Sequence, residues 1–126
     1  MNAERQGATA LEDLVGDDDD VAIAAITVAE MWVGVELASE KHQEQRRAFA
    51  EAVLEAVSVE DYDTDVARAH GALLAYTRRS GQPRGAHDLI IAATARARGR
   101  EVVSADRDGF ADLPQVPVRS VPGESP

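Results

Sequence analysis

Apolar positions along the 126-residue chain follow two patterns, helical spacing and short unbroken runs. From Ala3 to Val15 the apolar residues Ala8, Leu11, Leu14 and Val15 fall on one helical face, and Gly16 ends the segment. Asp17 to Asp20 read as a charged, solvated turn, because adjacent loop side chains point in different directions and do not form a cation site by adjacency alone. Val21–Ile26 is a continuous apolar run with β-branched residues, the pattern of a strand covered on both faces in a parallel sheet. Thr27 then stands three residues before Glu30, in the S/T-x-x-E order of a capping box, and opens a helix through Met31, Trp32, Val33, Val35 and Leu37. That helix is apolar around much of its circumference, which predicts burial on more than one side and makes a homodimer an expectation.

Lys41–Val57 is a clearer amphipathic helix, with Phe49, Val53, Leu54 and Val57 predicted to face inward, and Ser58-Val59 adds a short strand or extended link. Asp63 or Thr64 caps a helix over Asp65–Arg79, whose apolar side is Val66, Ala69, Leu73, Leu74 and Tyr76. Ser80–Gly85 is a loop by its Gly, Ser and Pro content. Asp88 opens the next helix, LIIAATARAR, and Gly99 ends it. Glu101–Ser104 is a strand, Ala105–Leu113 a loop holding one helical turn, and Val116–Val121 a short edge strand between prolines. These elements predict an α/β/α sandwich with a mainly parallel sheet, one domain over residues 1–121 and a disordered tail over 122–126.

Composition narrows the chemistry. There is no cysteine, hence no disulfide and no thiolate metal site. No apolar run is long enough to span a bilayer and no signal peptide is visible, so the expectation is a soluble protein in the cytoplasm with no membrane partner. The net charge of -10 argues against a general nucleic-acid coat, but its distribution is uneven. Residues 1–65 hold 17 acids and 4 bases, whereas residues 66–100 hold 7 arginines and the single acid Asp88.

In parallel α/β sheets ligands gather beyond the C-terminal ends of strands. Glu30 follows one predicted strand, Asp106 follows another, and Asp88 starts the helix that feeds the second. Three carboxylates from distant parts of the chain are thereby expected on one edge, where mutual repulsion favours a bound cation or a proton. Oxygen ligands of this kind suit Mg2+ or Mn2+, which activate water for attack on a phosphodiester. The arginines of residues 66–100, Arg79 and Arg84 foremost, are candidates to hold the substrate backbone. Each acid also has a plainer role open to it: Glu30 in the capping box, Asp88 as an N-cap, Asp106 and Asp108 as turn residues. Asp106 is favoured over Asp108, while Ser104 can help position a metal-bound water or merely end its strand. His87, beside Asp88, is a ligand or substrate contact or neither.

AITVAEMWVGV around Glu30, DLIIAATARARG from Asp88 and VVSADRDGFADLP around Asp106 resemble the successive signatures of PIN-domain ribonucleases, in particular VapC-type toxins of bacterial toxin-antitoxin pairs. The resemblance implies an α/β/α sandwich, an endoribonuclease using Mg2+ or Mn2+, and a partner antitoxin. It implies catalytic, metal-holding roles for Glu30, Asp88 and Asp106, with Ser104 where the family often has Thr or Ser. The family pattern opens on a central apolar strand ending in Asp followed by Thr or Ser, and no such segment precedes Ala3. The expectation drawn from this departure is a start codon placed too far downstream or a truncated reading frame. A second functional expectation follows: a catalytically inactive form that acts by binding an antitoxin or a toxin subunit. A receiver-like signalling domain, which also gathers acids at strand ends, is a poorer match, since the lone lysine, Lys41, lies in a surface helix.

Overall fold

Two of the four described strands lie within two residues of a helix: Ala22–Ala24 runs straight into the helix that starts at Ala25, and Ser58–Glu60 follows the helix that ends at Ala56. The computed structural model describes residues 20–104 and 107–120. The element order is β1 (Ala22–Ala24), α1 (Ala25–Leu37), α2 (Glu40–Ala56), β2 (Ser58–Glu60), α3 (Thr64–Ser80), α4 (Ala86–Arg98), β3 (Val102–Ser104), a 3-10 turn (Arg107–Gly109) and β4 (Val118–Ser120). The predicted helix Ala3–Val15, most of the four-Asp run and the tail 122–126 lie outside the described residues.

The strands are parallel, as their apolar character predicted, and pair as β1 with β2 and β3 with β4. Ile23 stands opposite Val59 and Val103 opposite Arg119. Among the described residues these are two separate two-stranded sheets rather than one continuous sheet. A groove of about 1210 Å³ runs between β1 and β3 and is lined also by Ile91, Thr94 and Ala95 of α4.

The core is centred on the packing of α3 against α4. Val66 and Leu73 of α3 meet Leu89, Ala92, Ala93 and Ala95 of α4, and Val102, Phe110, Leu113 and Val116 close the cluster. Two consecutive alanines at 92 and 93 keep that face of α4 low, so α3 can approach closely. Buried Thr77 and Thr94 satisfy their hydroxyls within their own helices, donating to the carbonyls of Leu74 and Ile90 at 2.9 and 2.8 Å.

Helix boundaries correct the sequence reading at two functionally relevant places. The run predicted as strand Val21–Ile26 is extended only over Ala22–Ala24, and α1 starts at Ala25 with Ala24 as its N-cap. Thr27 therefore lies inside the first turn and is no cap, so Glu30 has no part in a capping box. A short apolar run is compatible with either backbone, and the good helix former Ala25 lets the helix begin three residues earlier than a cap at Thr27 implies. Likewise α4 starts before Asp88: Gly85 is the N-cap and Asp88 the third helical residue. Asp63 does cap α3, accepting from the Val66 N–H at 3.0 Å, and Gly81 and Gly99 end their helices in the left-handed conformation at φ 70° and 66°.

The apolar faces of α1 and α2 are less covered than the sequence predicted. Val35 and Ala50 are buried, but Leu37 is 80% exposed and Phe49, expected inward, is 41% exposed. Helix α2 packs mainly on α1 and β2, and no described element closes over Phe49. No helix among the described residues is long and apolar enough to cross a membrane.

Candidate functional site

Helix α4 is anchored at one end and presents acids at the other. At its C-terminus Arg98 donates from Nε to Glu60 at 3.0 Å and from Nη2 to Asp63 at 2.9 Å. Arg100 donates from Nε to the second Glu60 oxygen at 2.9 Å and from Nη1 to the Asp20 carbonyl at 2.8 Å. Hydrogen bonds from Arg100 and then Arg98 hold the Glu60 carboxyl below its ordinary range. The Val66 N–H, followed by Arg98, does the same to Asp63, and these two acids in turn raise Arg98, Asp63 most. This network joins β1, β2, α3 and α4, and it occupies two of the arginines that the sequence reading had offered to a substrate. Nothing in the sequence pairs Glu60 with residues some 40 positions away; only the charge asymmetry hinted that arginines and acids would meet.

At the N-terminal end, Asp88 sits half-buried in the first turn of α4, where the helix dipole favours an ionised carboxylate. Its carboxylate turns back over the N-cap: a Cβ built on Gly85 would stand 3.4 Å from Asp88 Oδ2. Asp88 and Ser104 both line the groove between the two sheets, as does Thr27 of α1. Glu30, one turn beyond Thr27, points instead to the residue before Asp88: its Oε2 and His87 Nδ1 share a hydrogen bond of 2.5 Å. This link between α1 and α4 spans 57 residues of sequence and was not foreseen as a pair, although both residues had been singled out separately.

The other predicted residues fall as follows. Asp106 lies outside the described residues, and Asp108 is exposed in the 3-10 turn. Arg79 is exposed in the last turn of α3. Arg84 is half-buried and turned inward, donating to the carbonyls of Ala111 at 2.8 Å and Gln82 at 2.9 Å, so it braces the loop before α4 against the segment after β3. Among the described residues no three histidine, aspartate or glutamate side chains gather closely enough to hold a metal ion. Carboxylate oxygens such as those of Asp88 and Glu30 nevertheless have the hard-donor chemistry that Mg2+ or Mn2+ requires.

Comparison with known proteins places this geometry in context. The PIN domain family model matches residues 1–116. A tRNA(fMet)-specific endonuclease VapC from Salmonella typhimurium is 32% identical over 96 residues, which cover 76% of this chain and 71% of that protein. The solved structure of DNA-bound VapBC from Salmonella typhimurium superposes with a TM-score of 0.74 at 31% identity, covering 79% of this chain and 74% of the other. VapBC-5 from Mycobacterium tuberculosis, a member of the VapBC toxin-antitoxin family, gives 0.73 at 31% identity, covering 80% and 82%.

Proposed function

This chain belongs to the PIN-domain family, and from that premise we propose that it is the endoribonuclease toxin of a toxin-antitoxin pair, cleaving RNA phosphodiester bonds with Mg2+ or Mn2+. The observation that carries the reading is the match to an endonuclease of the same family over three quarters of the chain. The VapBC complexes among its structural relatives support a cognate antitoxin as its protein partner. A homodimer and a cytoplasmic setting complete the proposal.

In this reading Asp88, Glu30 and Asp106 hold the cation, with Asp88 the central member because it alone of the three lines the groove from described backbone. When bound, a divalent cation supplies Lewis-acid activation of water and neutralises charge on the scissile phosphate. The protein's own contribution is positional. The first turn of α4 places Asp88 where the helix dipole favours negative charge. Ser104, at the C-terminal end of β3 on the same groove, offers a hydroxyl to orient water, with Asp108 a secondary acid nearby in sequence. Arg79 presents an exposed guanidinium to the RNA backbone, while Arg84 acts by bracing the loop that sets the start of α4.

Purified protein with Mg2+ or Mn2+ is expected to cut RNA, and Asp88→Ala to lower the rate by about 100-fold or more. Equal cleavage by the Asp88→Ala protein would sink the assignment. A second reading, in which the chain binds its antitoxin without cleaving, draws on the toxin-antitoxin complexes among its structural relatives. Antitoxin binding with no RNA cleavage at any Mg2+ or Mn2+ concentration would select it.

A further inference from the structure

We propose that Thr27 is a substrate-binding residue of the groove, its hydroxyl donating a hydrogen bond to a backbone phosphate of RNA lying against Asp88. The inference rests on the RNA-cleaving reading above and adds a residue to it. Thr27 stands in the first turn of α1, three residues past the end of β1, and lines the groove together with Asp88 and Ser104. The hydrogen bond between Glu30 and His87 fixes which side of α1 turns to the start of α4. Thr27, three residues before Glu30, shares that side of the helix. Thr27 and Asp88 thus approach one groove from two different helices.

Donors are what the groove needs beside Asp88, because an ionised carboxylate and a phosphate oxygen both only accept hydrogen bonds. Most side-chain donors that line it are committed to the protein. Thr94 donates its hydroxyl to the Ile90 carbonyl at 2.8 Å, the Arg100 guanidinium is held by Glu60 and Asp20, and Arg119 pairs with Glu101 at 2.7 Å. The half-buried Thr27 hydroxyl, by contrast, makes no hydrogen bond among the described residues. It has no cap to make, since Ala24 holds that position, and the carbonyl four residues back belongs to Ile23 of β1 rather than to a preceding helical turn. The bond that satisfies Thr94 is therefore not on offer to Thr27. Ser58, another lining hydroxyl without a partner among the described residues, is opposite Ala22 at the far end of the strands. Side-chain hydroxyls are common donors to nucleic-acid phosphates, and they position the backbone without reading its sequence.

The test is steady-state cleavage of a random-sequence single-stranded RNA pool, with Mg2+ or Mn2+, by the full chain and by Thr27→Val, Thr27→Ser and Asp88→Ala. Thermal melting of each variant accompanies it. Valine keeps the branched shape and removes the hydroxyl, whereas serine keeps the hydroxyl. Thr27→Val is expected to lower kcat/KM about 10-fold or more, chiefly through a higher KM, because the lost bond to a charged phosphate is made before and during the reaction. Thr27→Ser is expected to restore most of that loss, and the valine variant to melt no lower than the unaltered chain. An unchanged kcat/KM in Thr27→Val, while Asp88→Ala is inactive, would overturn the role of Thr27 and leave the RNA-cleaving reading standing. So would a serine variant as impaired as the valine one, or a loss of activity in Thr27→Val that tracks a lowered melting temperature. No cleavage by the unaltered chain, or cleavage unchanged in Asp88→Ala, would overturn the RNA-cleaving reading itself and the role of Thr27 with it.

Discussion

Arg98 reaches from the last turn of α4 to Glu60 at the end of β2 across a 3.0 Å hydrogen bond, and Arg100 takes the other Glu60 oxygen. Because the folded carboxyls of Glu60 and Asp63 lie below their ordinary values of 4.5 and 3.8, folding is favoured wherever they are ionised. Their contribution is complete above the unfolded values and is lost as pH falls through the lowered folded ones. Urea midpoints are expected to drop between about pH 5 and about pH 3, and to drop less steeply in Glu60→Gln, whose neutral side chain has no proton to gain. An acid limb equally steep in Glu60→Gln would refute the assignment.

The burial pattern predicts a large cost for side-chain truncation at one apolar residue and a smaller one at another. Leu73 has no exposed surface, so Leu73→Ala is expected to lose about 2–5 kcal/mol in urea denaturation. Phe49→Ala is expected to cost less, about 1 kcal/mol in the monomer, since its ring is only partly covered at 41% exposure. A larger loss at Phe49 that depends on protein concentration would place that ring in a subunit interface.

Two glycines should respond to alanine with opposite signs. Gly99 ends α4 at φ 66°, where a Cβ meets no neighbouring atom but the backbone conformation is costly, so Gly99→Ala should destabilise by about 1–2 kcal/mol. Gly71 lies mid-helix in α3 with equally open space around it and ordinary φ, so Gly71→Ala should stabilise by roughly 0.5–1 kcal/mol. Thermal melts of the two variants are expected to shift in opposite directions.

Arg79 and Arg84 are separable by salt dependence. An exposed Arg79 that contacts RNA phosphates contributes about 0.7 to the slope of log affinity against log salt for a single strand, and Arg79→Ala should remove that increment. Arg84→Ala should leave the slope unchanged and instead speed proteolysis around Ala111, whose carbonyl loses its guanidinium partner. A reversed pattern would reassign the two residues.

The sequence by itself determined most of the local structure and the family. Helical spacing located α2, α3 and α4 to within a few residues, Asp63 and Gly99 announced their caps, and apolar β-branched runs announced parallel strands. These signals are local, so they survive without knowledge of neighbours. The motifs around Glu30, Asp88 and Asp106 were enough to indicate the family, because each carries its residue types within one short segment. What only the tertiary structure decided is how those segments meet. The N-cap of α1 moved from Thr27 to Ala24, because the helix propensity of alanine outweighed a capping pattern, and that shift released Glu30 from the cap. The bonds between His87 and Glu30, and between Arg100 and Glu60, join residues 57 and 40 positions apart, and no periodicity encodes such pairs. They follow from the packing of α4 against its neighbours, which fixes at one end which arginines hold the frame and at the other which carboxylate meets His87.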